Sequence, residues 1–211
     1  VDDDIEVKYV VANDDVASAP KAVKEQRHGI AGGFFMWKVG GARAAKGGSL
    51  DDVIASAQNV VNRTKSICVG LEPCVIPALG HSNFKIEDGT MEFGVGHHGE
   101  AGTKVEKLKS ASEMAQEMAE TILNDFDFEE GKEVAVMLSG LGATPVMELY
   151  VLYDEVEKVL AKAGHKVWKT YIGNYVTSLD MNGASLTIVD LDDEIKELLS
   201  EPAVPIGMKN Y

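Results

Sequence analysis

The chain has 211 residues, of which 45% are apolar, enough for one large domain or one domain and part of another. Its 20 basic and 34 acidic side chains give a net charge of -14, which repels nucleic acid phosphates and anionic membrane surfaces. No apolar run reaches the length of a membrane span and no signal-peptide pattern is present, so the sequence reads as a soluble, cytoplasmic protein.

The β-branched run Val7–Ala12 predicts a buried strand, closed by a turn at Asn13, Asp14 and Asp15. The next stretch, "GIAGGFFMWKVGGARAAKGG", is too glycine-rich for an isolated helix and too apolar for a linker, and so predicts a helix packed with close backbone approach. Ser49 with Asp52 forms a capping-box pattern, followed by Leu50, Val53, Ile54, Ala57, Val60 and Val61 on one helical face. Strands are predicted at Ile67–Leu71 and Met91–Gly96, with a loop carrying Pro73, Pro77 and Gly80 between them. A helix over about 110–124 places Met114, Met118 and Ile122 in one line. Val134–Leu138 reads as a short buried strand, and Thr144 and Pro145 as N-cap and first residue of a helix that Gly164 stops. Strands follow at Val167–Val176 and Ser185–Val189, and Asp192 caps a last helix that Pro202 ends. Strands alternating with helices indicate α/β layers, with a domain boundary at Thr64 to Ser66 where the composition changes.

Several motifs invite functional readings. "GGARAAKGGS" has Lys46 before its glycines, the wrong order for a Walker A loop, so helix packing and a turn explain it. "GLGATP", Gly140–Pro145, joins a strand to a helix and offers backbone N–H groups to a ligand, but lacks the third glycine of a dinucleotide fingerprint. The acidic clusters at Asp2–Asp4, Asp125–Glu130 and Asp190–Glu194 lack calcium-loop spacing and read as solvated loops and caps. Cys68 and Cys74 read as reduced, part-buried thiols, and His28, His81 and His165 as surface or turn residues. The remaining two histidines stand together in "MEFGVGHHGEAG". Strand alternation would send His97 and His98 to opposite faces. Flanking glycines allow close approach of a ligand, and Glu100 is placed to hydrogen-bond one imidazole nitrogen and leave the other free as a nucleophile. On composition alone a polar turn with both histidines facing water is the favoured reading of the pair.

"MEFGVGHHGEAG" resembles the signature of the substrate-binding (K) subunit of dihydroxyacetone kinases, in which glycine, Ile or Val, glycine, Ile, histidine, glycine, glutamate, proline and glycine follow one another. "VVANDDVAS", "RHGIAGG", "GGARAAKGGSLDDV", "VGLEPCVIPALG", "GLGATPVMELY" and "YVTSLDMNGASLTIVDLDDE" match the family in the same order, from about Asp14 to Pro205. The resemblance implies that His98 adds to the ketone carbon of dihydroxyacetone as a covalent hemiaminal, supported by Gly96, His97, Gly99 and Glu100. His97 stands where the family has isoleucine, and Ala101 where it has proline. The family implies no cofactor or metal on this chain, ADP or ATP with Mg on a nucleotide-binding partner subunit, and a homodimer.

The family's N-terminal segments, one glycine-rich and one carrying the expected aspartate base and a substrate-binding lysine, are not found among these residues. The terminal "KNY", Lys209–Tyr211, echoes the second only by chance. The resemblance therefore implies the C-terminal part of a three-layer α/β/α domain at residues 1–64, then a two-layer α/β domain with a mixed sheet at 65–211. On that reading the isolated chain binds substrate weakly and transfers no phosphate until the missing N-terminal part is supplied. The family also contains sensors that bind dihydroxyacetone and activate a transcription regulator, and kinases for related ketoses such as erythrulose.

Overall fold

The computed structural model describes residues 4–82, 84–97, 100–127 and 131–205. Its frame is a mixed sheet of β1 (Thr64–Glu72), β2 (Thr90–Phe93), β3 (Lys104–Lys107), β4 (Glu133–Gly140), β5 (Lys166–Gly173) and β6 (Asn182–Asp190), in the order β3-β2-β1-β6-β4-β5. The pairs β1–β2, β2–β3, β1–β6 and β4–β6 are antiparallel, and β4–β5 is parallel. A parallel pair needs a crossover, which helix α4 (Val146–Lys162) supplies between β4 and β5.

Side-chain alternation sorts the core onto two faces. Val134, Val136 and Leu138 of β4, with Leu186 and Ile188 of β6, meet α4 and α3 (Ala111–Asp125). Ala135 and Met137, from the same strand, meet α1 (Gly33–Ala45), α2 (Leu50–Asn62) and α5 (Asp193–Ser200). The helices owe their starts to local chemistry. Ser49 and Asp52 form the expected capping box on α2, and Ser110 with Glu113 forms another on α3. The Asp192 carboxylate accepts from Ile195 N at 2.8 Å to open α5. In α1 the close approach expected of the glycines is not required: a Cβ on Gly40 would make ordinary contact with Ala57 of α2 at 3.5 Å, and one on Gly41 would meet nothing within 4 Å. Lys46, from the false phosphate loop, pairs with Glu197 of α5 and with Glu201, which follows the helix.

Two expectations are corrected. The run Val7–Ala12 is not a buried strand: it pairs with no strand among the described residues, and Val7 and Tyr9 are 65% and 84% exposed. Its β-branched composition suits a strand, but a strand exists only where a neighbour takes its hydrogen bonds. The strand predicted to reach Gly96 stops at Phe93, because Gly94 adopts φ +77° and turns the chain. Strand alternation therefore does not govern the histidine pair.

Candidate functional site

The histidine loop leaves β2 at Gly94 and returns at Thr103. Gly94 N donates to Cys68 O of β1 at 2.7 Å, and Thr103 N donates to Phe93 O at 2.8 Å. Inside the loop Gly96 N donates to Glu100 O at 2.9 Å, and the buried Glu92 carboxylate accepts from Gly102 N at 2.6 Å. A Cβ on Gly96 would lie 2.7 Å from the Glu100 Cβ, which cannot swing away as the carboxylate can, so this closure favours glycine. The expected site residues Gly96, His97 and Glu100 thus come together, while His98 and Gly99 lie outside the described residues.

Those three residues form one wall of a cavity of about 380 Å³, and Asp15, Arg27 and His28 lie opposite. Asp14 builds that second wall. Its buried carboxylate accepts from Ile30 N at 3.2 Å and Gly32 N at 2.8 Å, pinning the loop into α1. Burial pushes its pKa up, and the hydrogen bonds from Ser66 and those two amides oppose the rise. The adjacent backbone is clamped to β1, with Ser66 N donating to Asp14 O and Val16 N to Ser66 O. Arg27 donates from both guanidinium ends to Asp125 at 2.7 Å and from Nε to Ala19 O at 2.8 Å, which fixes the segment below the cavity.

Asp15 is the titrating group of this wall. Burial pushes its carboxyl up to about 6; the hydrogen bond from Ala17 N opposes the shift and the Asp14 charge adds to it. A folded pKa above the unfolded value means that the native state binds the extra proton between about pH 4 and 6. Stability from this group therefore falls as pH rises through that window. Asp15→Asn is expected to raise stability at pH 7 by about 1–3 kcal/mol and to have no effect below about pH 4. Urea midpoints measured across pH check this; a gap that widens on acidification would show that Asp15 is not buried as an ionised carboxylate.

Sequence reasoning read Asp15 as a turn residue and His28 as isolated. The structure puts both on the cavity, and the signal was their presence in two of the matched segments. "GLGATP" has a different role from ligand contact. Leu141 N donates to Gly183 O and Ala143 N to Met181 O, both at 3.1 Å, and Gly142 at φ +135° passes so close to Leu179 O that a Cβ would lie 1.9 Å away. Its amides hold the β5–β6 loop. Thr144 is not the N-cap of α4, which is Pro145; the threonine hydroxyl engages Gly183 and Asn182 instead. The acidic clusters are likewise structural where described, Asp125 binding Arg27 and Asp190 binding Arg63.

A larger cavity of about 550 Å³ lies between α1 and the residues after α5, near Trp37 and Tyr175. Its amine, Lys38 Nζ, donates to Leu198 O and Glu201 O and so caps α5. Among the described residues no group of His, Cys, Asp or Glu is arranged to hold a metal ion, and no helix is long and apolar enough to cross a membrane.

The sequence profile of the Dak1 domain matches residues 1–206. The chain belongs to the Dak1 domain family. This Dak1 domain is 40% identical over 192 residues to the dihydroxyacetone-binding subunit DhaK of PTS-dependent dihydroxyacetone kinase 1 from Listeria innocua serovar 6a. That alignment covers 91% of this chain and 58% of the relative, so the chain spans less than two thirds of the relative's length. Among solved structures it is similar to a dihydroxyacetone kinase operon co-activator, Dha-DhaQ, at TM-score 0.86 and 31% identity, covering 94% of this chain and 62% of that one. The dihydroxyacetone kinase of C. freundii gives TM-score 0.80 at 27% identity, covering 92% of this chain and 34% of that one. The α/β fold with its mixed sheet is that of the Dak1 domain.

Proposed function

We propose that this chain forms part of the substrate-binding subunit of a dihydroxyacetone kinase and holds dihydroxyacetone covalently on His98. The observation that carries the reading is the closed glycine loop of a Dak1 domain, which brings Gly96, His97 and Glu100 to a cavity walled by Asp15 and His28. In the proposed step a neutral imidazole nitrogen of His98 bonds to the ketone carbon, and the carbonyl π electrons move to oxygen. That oxygen gains a proton as the other ring nitrogen gives one up, so the hemiaminal is neutral. Only a carbonyl compound accepts this bond; glycerol offers no such carbon. The anchored substrate then presents its terminal hydroxyl to a nucleotide carried with Mg by a partner subunit, where transfer depends on alignment and charge stabilisation.

On this reading Glu100 orients the imidazole, His97 adjusts its surroundings, and the protein is cytoplasmic and dimeric. Residues supplied by the rest of the relatives' fold provide the base for the attacking hydroxyl. A structure of the full-length protein soaked with dihydroxyacetone tests the assignment. Continuous density between a His98 ring nitrogen and the ketone carbon is the expected result; density at His97, or at neither histidine, overturns it.

A further inference from the structure

The His97 carbonyl accepts a hydrogen bond from the Ser178 hydroxyl at 2.6 Å, a contact between residues 81 positions apart. Ser178 is buried, and its own backbone is fixed on both sides. Its amide donates to Leu141 O at 2.8 Å, and its carbonyl accepts from Met181 N at 3.1 Å. Behind it, the Ser139 hydroxyl at the end of β4 accepts from Tyr175 N and Val176 N at 3.0 and 3.1 Å. The "GLGATP" amides complete the same seat. Ser178 is therefore held by the ends of β4 and β6, whereas the histidine loop belongs to the β2–β3 connection. Their hydroxyl-to-carbonyl bond is the point at which the central strands fix the peptide leading out of His97.

We propose that Ser178 is a positioning residue for substrate capture: its hydroxyl sets the orientation of the His97 peptide and thereby the approach of the adjoining imidazole to a ketone carbon. This rests on the reading of His98 as the covalent anchor. A serine hydroxyl has one hydrogen to give, and the carbonyl receives it in a buried setting where water competes poorly. Covalent capture depends on alignment to about half an ångström, so a small rotation of the loop weakens it without disturbing the sheet.

The test uses the full-length protein with its nucleotide-bearing partner, and 13C-labelled dihydroxyacetone to follow conversion of the trigonal ketone carbon to a tetrahedral one. Ser178→Ala is expected to raise KM for dihydroxyacetone, and the concentration needed for half-maximal adduct, by about tenfold. The same variant should change kcat at saturation by less than about threefold and lower the melting temperature by only a few degrees, the cost of one buried hydrogen bond. Ser178→Thr, which keeps the hydroxyl, is expected to restore KM to within about twofold. Should Ser178→Ala not fold, Ser178→Cys, with a weaker donor, is expected to show about a threefold rise in KM. Wild-type KM in Ser178→Ala, or in Ser178→Cys where that replaces it, overturns the inference, as does a Ser178→Thr protein as impaired as the alanine variant. His98→Asn separates the two levels. If it still forms the adduct, the anchor assignment falls and this inference with it; if it forms none while Ser178→Ala keeps wild-type KM, only the role of Ser178 falls.

Discussion

Replacing His98 with asparagine is expected to lower phosphorylation of dihydroxyacetone by on the order of 10³-fold or more, whereas His97→Asn changes it by less than about tenfold. Asparagine keeps a polar group of similar reach but has no lone pair able to form a stable carbon–nitrogen bond to the ketone. On the proposed function, what is lost is the covalent hold on the substrate and the discrimination that goes with it. The wild-type protein should favour dihydroxyacetone over glycerol far more strongly than His98→Asn does. His97 has a separate structural connection, through its carbonyl to Ser178. That bond uses the backbone and survives a side-chain change. Coupled assays with the nucleotide-bearing partner measure both variants, and near-normal rates in His98→Asn would remove the proposed anchor.

Arg27→Met is expected to destabilise the fold by about 3–5 kcal/mol, a fall in melting temperature on the order of 10 °C. The Arg27 side chain is 1% exposed and that of Asp125 is 11% exposed, so removing the cation leaves a carboxylate in a poorly solvated place. Asp125→Asn should cost a similar amount by stranding the guanidinium. The double variant Arg27→Met with Asp125→Leu should recover most of the loss, because the desolvation cost of both charges disappears together. Burial pushes the Asp125 carboxyl up, but the hydrogen bonds and charge of Arg27 outweigh that and hold it below its ordinary value. With the folded pKa depressed, the contribution of this pair is present above the unfolded pKa and disappears as pH falls through the folded one. The wild type and Arg27→Met should therefore converge in acid, as wild type and Asp15→Asn do, but from the opposite side: at neutral pH ionised Asp125 adds stability whereas ionised Asp15 removes it. Chemical denaturation of the three variants at neutral and acidic pH distinguishes these outcomes.

The helices were legible because their information is local. The capping box at Ser49 and the carboxylate cap at Asp192 use residues three positions apart, within the sequence window that encodes a helix start, whereas α3 was read from the spacing of Met114, Met118 and Ile122 and its box at Ser110 was not. Strands were less legible, since pairing is not local. Val7–Ala12 has a strand's composition but no strand partner among the described residues, while β3, Lys104–Lys107, has a polar edge-strand composition and pairs with β2 all the same. The histidine loop was visible as a motif, but the opposite wall was not, because Asp15 and His28 reach the cavity only through the contacts of the 14–32 segment with β1. Ser178 illustrates the same limit. Nothing near it in the sequence indicates that its hydroxyl meets the carbonyl of His97.

The placement of β6 beside β1 also governs how the chain can reach its native state. Ser66 and Thr187, hydrogen-bonded at 2.7 Å across these strands, are 121 positions apart, and α1 and α2 complete their apolar face with residues of β4, β5, β6 and α5. Closing so long a loop before its contacts return any stabilisation makes this a slow step. During synthesis, the helices at residues 33–62 emerge before the strands and the helix that complete their apolar face, so that face stays partly uncovered until β6 and α5 are made.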